Sequence, residues 1–199
     1  MRVIQVGLGG FGQSWAKIAQ ASPVVELVAA VDPSTAARAW ATDALGMDET
    51  AIAADLEGAL AAVDADAVLV ITPPDTHHAV ATAALQAGKH VLLEKPFALT
   101  EAECDAMIQV QAVSGKQLML AHVLRFWPEY EALVALVHSG KLGKPLSAIA
   151  SRLSVVPGWA DWFSDPALSG GALLDLMIHD FDALNWVMGT PLSVYSRGH

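Results

Sequence analysis

Several residues in this chain have types and spacings suited to chemistry. Asp175, His179 and Asp182 follow at intervals of four and three, so a helix would present all three on one face. A histidine there can take a proton from a hydroxyl near neutral pH, and a nearby carboxylate can orient it. The apolar stripe Leu174, Ile178, Phe181 and Leu184 runs between them, which suggests the lip of a pocket. Two other readings stand beside this one. The Asp and His groups could simply be solvated, or Asp/His/Asp could ligate a divalent ion. No second ligand cluster supports a metal, so none is expected. Lys95, in Glu94-Lys95-Pro96, follows an apolar run that reads as a strand. Pro96 keeps Lys95 out of helical geometry and fixes its direction. An ammonium there could hold a substrate hydroxyl and stabilise developing alkoxide charge. A strand-end lysine in solvent is an equal reading of that motif alone.

Gly7-Leu8-Gly9-Gly10-Phe11-Gly12 fits the pattern G-x-G-x-x-G, and Asp32 stands twenty residues beyond Gly12. The pattern follows a strand and opens a helix. Its glycines allow a tight turn and let backbone approach a pyrophosphate, whose charge the helix N-terminus meets. Asp32 can accept hydrogen bonds from both hydroxyls of an adenosine ribose. The alternative is an ordinary tight turn with a surface aspartate, and the context favours a dinucleotide. A carboxylate at about 4 Å from a 2′-phosphate costs about 4 kcal/mol per unit charge at an effective dielectric near 20. NAD is therefore expected before NADP. Ser34 and Arg38 lie close enough in sequence to blunt the preference.

Short β-branched runs at residues 3–6, 24–31, 67–71, 90–93 and 117–121 alternate with alanine-rich helical stretches. One helix is expected over about 77–87, capped by Asp75 or Thr76 and stopped by Gly88. Another opens on the capping box Thr100-x-x-Glu103 and ends at Gly115. Alternating strands and helices imply right-handed crossovers and a parallel sheet covered on both faces. The expected class is α/β, a doubly wound, Rossmann-type dinucleotide-binding domain over residues 1–122. Residues 123–199 read as the start of an α+β substrate and oligomerisation domain. Its helices are expected near 128–139 and 173–188, and its strands at 146–155 and from about 192. Two strand candidates are too few for a stable sheet. That domain is expected to be incomplete, and an uncovered sheet face predicts a homo-oligomer.

The chain has 199 residues, 54% of them hydrophobic and 16% charged, which excludes intrinsic disorder. Eleven Lys and Arg face 21 Asp and Glu, a formal charge of −10 that would repel a nucleic acid. No apolar run approaches the roughly 20 residues that cross a bilayer, and no export signal is read at the start. The single Cys104 excludes an internal disulfide framework and fits a reducing compartment. A cytoplasmic protein with no membrane partner is expected.

Taken in order, several blocks resemble the glucose–fructose oxidoreductase/inositol dehydrogenase (Gfo/Idh/MocA) family. They are the glycine turn, Thr72-Pro73-Pro74-x-x-His77, Ala87-Gly88-Lys89-His90-Val91-x-x-Glu94-Lys95-Pro96, Arg125-Phe126-x-Pro128 and Gly170-Gly171-x3-Asp175-x3-His179-x2-Asp182. The resemblance implies a nicotinamide-dependent oxidoreductase acting on a sugar, cyclitol or related polyol. By position, Lys95 would hold the substrate and assist proton movement. His179 would be the acid/base, and Asp175 would bind or orient. Gly7, Gly9, Gly10, Phe11, Gly12 and Asp32 would hold the dinucleotide. Thr72, Pro73, His77 and Glu94 would line the nicotinamide side. A cis Lys95–Pro96 bond is implied as well. Met177 departs from the family, which usually has glycine there. Arg125, Trp162 and Asp182 are further substrate candidates. Arg125 could equally form a structural ion pair, and Trp159, Trp162 and Phe163 suit a loop folded over a core better than a sugar platform. His78, His122 and His138 belong to no visible constellation. The rival to an enzyme is a non-catalytic NAD-binding module, or an inactive piece of a longer dehydrogenase.

Overall fold

The computed structural model describes residues 1–155 and 161–197. Its first part is built on six strands, β1 (Arg2–Val6), β2 (Glu26–Val31), β3 (Ile52–Ala53), β4 (Ala67–Val70), β5 (His90–Leu93) and β6 (Leu118–Leu120). Every pairing is parallel, and the order across the sheet is β3-β2-β1-β4-β5-β6. A strand buried on both faces must be apolar throughout, which explains why β4 reads Ala-Val-Leu-Val and is buried at all four positions. Side-chain alternation then feeds two cores. Ile4, Val6, Val68, Val70 and Leu93 face one side with Leu85 and Met107, while Val3, Ala67 and Leu69 pack with Ala19 on the other.

The covering helices are α1 (Gly10–Ala21), α2 (Thr35–Leu45), α3 (Leu56–Ala62), α4 (His77–Gln86) and α5 (Glu101–Ser114). The capping box at Thr100 and Glu103 forms in both directions, and Gly115 closes α5 at φ +65°. Two details differ from expectation. Thr76 makes no capping bond, because a 3₁₀ turn over Pro74–Thr76 leads directly into α4. The elements α2, β3 and α3 were not anticipated; Ser34 and Asp55 cap the two helices, and β3 is only two residues long.

After β6 the regular elements among the described residues are helical: α6 (Pro128–His138), α7 (Pro166–Ser169), a π-helical turn over Leu173–Met177, and α8 (Ile178–Met188), with α6 packed against α8. The strands expected at 146–155 and from 192 do not form among the described residues. A strand exists only through its ladder, and neither segment has a pairing partner among the described residues. Their apolar side chains stand in solvent, with Ile149 and Leu153 each 96% exposed. The α+β expectation therefore holds here for the helices and not for the strands. Trp159 lies outside the described residues. Among the described residues no helix is long and apolar enough to cross a membrane.

Candidate active site

The carboxyl ends of β1, β2, β4, β5 and β6 lie along one edge, and the strand order reverses between β1 and β4. Open α/β sheets bind ligands at that edge and that reversal. The glycine turn sits there. Gly7 has φ +99°, and a Cβ on it would stand 2.1 Å from the Ile71 carbonyl oxygen, so the turn after β1 closes against the end of β4 only with glycine. At Gly12 a Cβ would meet the Gly7 carbonyl oxygen at 2.3 Å, so that glycine seats α1 against the turn. At Gly9 and Gly10 a Cβ would meet nothing within 4 Å. Gly9 is also the N-cap of α1 and gives no side-chain cap, leaving the first amides of a twelve-residue helix for an anion. The cradle thus fits the pyrophosphate of a dinucleotide. Phe11 is half exposed beside it and meets Trp15 edge to face.

Asp32, buried just beyond β2, accepts the Leu8 amide on Oδ2 and the Ser34 amide on Oδ1, each at 2.8 Å. The glycine turn and the end of β2 are locked together through it. Arg38 donates to the carbonyls of Asp32 and Pro33, both at 2.8 Å, and to the Thr35 hydroxyl.

Thr72 and Pro73 follow β4, and Lys95–Pro96 follows β5 with a cis peptide bond. His77 ties these two loops together. It is fully buried, with Nδ1 2.7 Å from the Pro96 carbonyl oxygen and Nε2 2.9 Å from that of Thr72. Burial lowers its pKa against the pull of those two carbonyls. His77 is thus a clamp behind the loops rather than a lining group. Glu94 is also buried, which raises its pKa; it accepts the Lys95 amide and the Trp15 indole N–H, both at 3.0 Å. Trp15 thereby joins the glycine-turn helix to the lysine loop.

The link to the second part is direct. Lys95 Nζ donates to Asp175 Oδ1 at 2.8 Å and to the Asp175 backbone carbonyl, and both side chains are about one-fifth exposed. Asp175 lies in the π-turn and His179 one turn further on, in α8. Burial, then the charges of Lys95 and Arg152, push the pKa of His179 down to about 4, so its imidazole is neutral at pH 7. Among the described residues its Nδ1 is buried without a hydrogen-bond partner, as is Nδ1 of His122 just beyond β6.

The expected single face of Asp175, His179 and Asp182 is divided. The π-turn shifts Asp175 toward Lys95, while Asp182 accepts both arms of Arg125 at 2.8 Å, and its Oδ2 lies 3.8 Å from His122 Nδ1. Arg125 therefore takes the ion-pair alternative, with its guanidinium over Trp186. Trp162 stacks on Phe163, with ring centroids 3.9 Å apart. Among the described residues no three His, Cys, Asp or Glu side chains converge to hold a metal. Cys104 is half-buried on α5 and its thiol pKa is raised by burial.

Sequence reasoning missed five participants: Gln5, Trp15, His122, and the pair Arg152 and Asp180, joined at 2.5 and 2.9 Å. Only Gln5 left a readable signal, a lone amide inside an apolar strand.

Strand order, glycine turn and strand-edge acid define a doubly wound dinucleotide-binding fold. Comparison with known proteins carries this further. Residues 1–122 match the family model described as the oxidoreductase family with NAD-binding Rossmann fold, and residues 130–199 match the GFO/IDH/MocA C-terminal domain. The chain belongs to the Gfo/Idh/MocA oxidoreductase family. It is 30% identical to inositol 2-dehydrogenase 4 of Saccharopolyspora erythraea, over all of this chain and 57% of that one. It is 34% identical to 1,5-anhydro-D-fructose reductase of Ensifer adhaerens over 63% of this chain and 38% of the relative. The structure of scyllo-inositol dehydrogenase from Lactobacillus casei with bound NAD(H) and scyllo-inositol superposes with a TM-score of 0.79 at 30% identity, covering 95% of this chain and 56% of that one. The chain thus spans about half the length, or less, of these relatives.

Proposed function

We propose that the protein is a nicotinamide-dependent dehydrogenase or reductase that interconverts a secondary alcohol and a ketone on a sugar, cyclitol or related polyol. The observation that carries this is the Lys95–Asp175 contact, which joins the tip of β5 to the turn that precedes His179. The nicotinamide, when bound, supplies the hydride acceptor or donor at the carbon that reacts. Gly7, Gly9, Gly10, Phe11, Gly12 and Asp32 would hold the dinucleotide, with Thr72, Pro73 and Glu94 on its nicotinamide side and His77 behind them. An ammonium has three N–H donors, and Asp175 takes two of those of Lys95. The third donates to the substrate oxygen and stabilises the negative charge that grows there. His179, neutral at pH 7, accepts the hydroxyl proton during oxidation and returns it during reduction. Asp175 aims the ammonium.

The surrounding charges support a neutral substrate. Lys95 faces Asp175, Arg125 faces Asp182, and Arg152 faces Asp180, so each of these cations is matched by a carboxylate. NAD fits better than NADP. Two backbone amides on a carboxylate with about four lone-pair sites leave acceptor capacity for ribose hydroxyls, whereas a 2′-phosphate would meet that negative charge. Arg38 donates to two carbonyls and a hydroxyl, so its guanidinium is already engaged. The exposed apolar segments around Ile149, Leu153 and Tyr195 support self-association, and the single cysteine supports a reducing, cytoplasmic setting.

The test is NAD(H) turnover against a panel of neutral polyols and their ketones. We expect the Lys95→Ala, His179→Ala double variant to lose at least 10³-fold in kcat while NAD still binds. Undiminished turnover in that variant refutes these roles.

A further inference from the structure

Gln5 is the one buried polar side chain of β1, and it is fully buried. Its Nε2 donates to the Gly7 carbonyl at 2.9 Å and to the Gly12 carbonyl at 2.7 Å. Both partners are acceptors, so the amide nitrogen must face them; the reverse orientation would set oxygen against oxygen. Among the described residues its own Oε1 finds no hydrogen-bond partner, and it is buried. An amide held this way is a costly use of a strand position, since buried polar atoms are ordinarily satisfied. What it joins is specific. Gly7 ends β1 and begins the turn, and Gly12 lies in the first turn of α1. No backbone hydrogen bond can replace this link, because Gly7 and Gly12 present carbonyls to the same point. Between them lie Gly9 and Gly10, the open part of the cradle.

We propose that Gln5 is a positioning residue for dinucleotide binding, holding the two ends of the glycine turn at the separation that lets the α1 amides converge on a pyrophosphate. This rests on the reading of that turn as the pyrophosphate cradle. Gln5 touches neither cofactor nor substrate, and it acts only through the Gly7 and Gly12 carbonyls.

The experiment compares the 199-residue chain with Gln5→Met, which keeps length and volume and removes the donor, and with Gln5→Glu, which keeps shape and loses the paired donors. Titrations with ADP-ribose, which carries the pyrophosphate, and with adenosine, which lacks it, are followed by calorimetry and ligand-observed NMR. In both variants ADP-ribose affinity should fall about tenfold or more while adenosine affinity stays within twofold. As pH is lowered, Gln5→Glu should recover part of its ADP-ribose affinity, because a protonated carboxyl can donate one hydrogen bond; Gln5→Met should not. Equal ADP-ribose affinity in all three proteins overturns the proposal, and so does an equal loss for both ligands, which would mark Gln5 as a general support of the fold. Should Gln5→Met fail to fold, the pH dependence of Gln5→Glu alone decides. If the unaltered chain binds adenosine but gains nothing from the pyrophosphate, the reading of the cradle itself falls, a result separate from any behaviour of the variants.

Discussion

Gly9 and Gly12 lie three residues apart in one turn, yet replacing each with alanine should damage different things. At Gly12 the new Cβ would stand 2.3 Å from the Gly7 carbonyl oxygen and 2.8 Å from its carbon, both backbone atoms that no rotamer change can move. Relieving that overlap requires α1 to retreat from the turn by about 1 Å, and overpacking of this kind costs about 3 kcal/mol, near the top of its usual range. Alanine returns about 1 kcal/mol through helix propensity, leaving a net loss of about 2 kcal/mol. For a chain of this size that lowers Tm by about 4–8 °C. Gly9, with φ −64° and ψ −176°, occupies a conformation open to any residue, and its Cβ would meet nothing within 4 Å. Gly9→Ala should leave Tm within about 2 °C, because nothing in the protein is displaced. It should nevertheless weaken NAD about tenfold or more, since the Cβ would fill the space through which backbone approaches the pyrophosphate. Differential scanning fluorimetry gives the Tm, and calorimetric titration gives the affinity. The reasoning is refuted if Gly9→Ala binds NAD like the parent chain, or if Gly12→Ala melts no lower.

Two further outcomes follow from charge. With the His179 pKa near 4, about 99% of the imidazole is neutral at pH 6, against about a quarter for an ordinary histidine. The kcat/KM for alcohol oxidation should therefore fall on the acid side only below about pH 5, and an inflection at 6.5 would contradict the burial and charge around that ring. Lys95→Met removes one of the charges that depress it, so His179 should titrate at a higher pH in that variant, as NMR of the ring protons would show. The same depressed pKa means that unfolded chains take up a proton the folded state refuses. This group's contribution to stability should thus decline as pH drops from 6.5 toward 4. Asp32→Asn keeps the shape and loses the charge, so the ratio of NADPH to NADH dissociation constants should fall about tenfold or more. Fluorescence titration measures it, and an unchanged ratio would remove Asp32 as the discriminating group.

Much of the nucleotide half was legible because its signals are local. A strand, a glycine turn, a helix and an acid at the next strand end each follow from short-range backbone chemistry. The box at Thr100 and Glu103 formed for the same reason. The α2–β3–α3 stretch escaped because β3 has two residues, Ile52 and Ala53, too few to show a period. The segments at 146–155 and 192–197 misled for the opposite reason: their residue types suit strands, but pairing is a property of neighbours. Spacing along an ideal helix placed Asp175, His179 and Asp182 on one face, and the π-turn over Leu173–Met177, which has no simple sequence signature, broke that assumption.

That π-turn also accounts for how the two halves meet. A regular α-helix through residue 175 would turn the Asp175 side chain and carbonyl by one position relative to His179. Here both groups reach Lys95 Nζ, while Asp182, lower on α8, is left to Arg125. The lysine is held from behind as well: Glu94 accepts its amide and is itself fixed by Trp15, and His77 clamps the carbonyl of Pro96. The ammonium is therefore set by a buried backbone frame on one side and by a single carboxylate on the other. Loss of Asp175 would free the side chain without moving the loop, whereas loss of His77 would move the loop and leave the ion pair to follow.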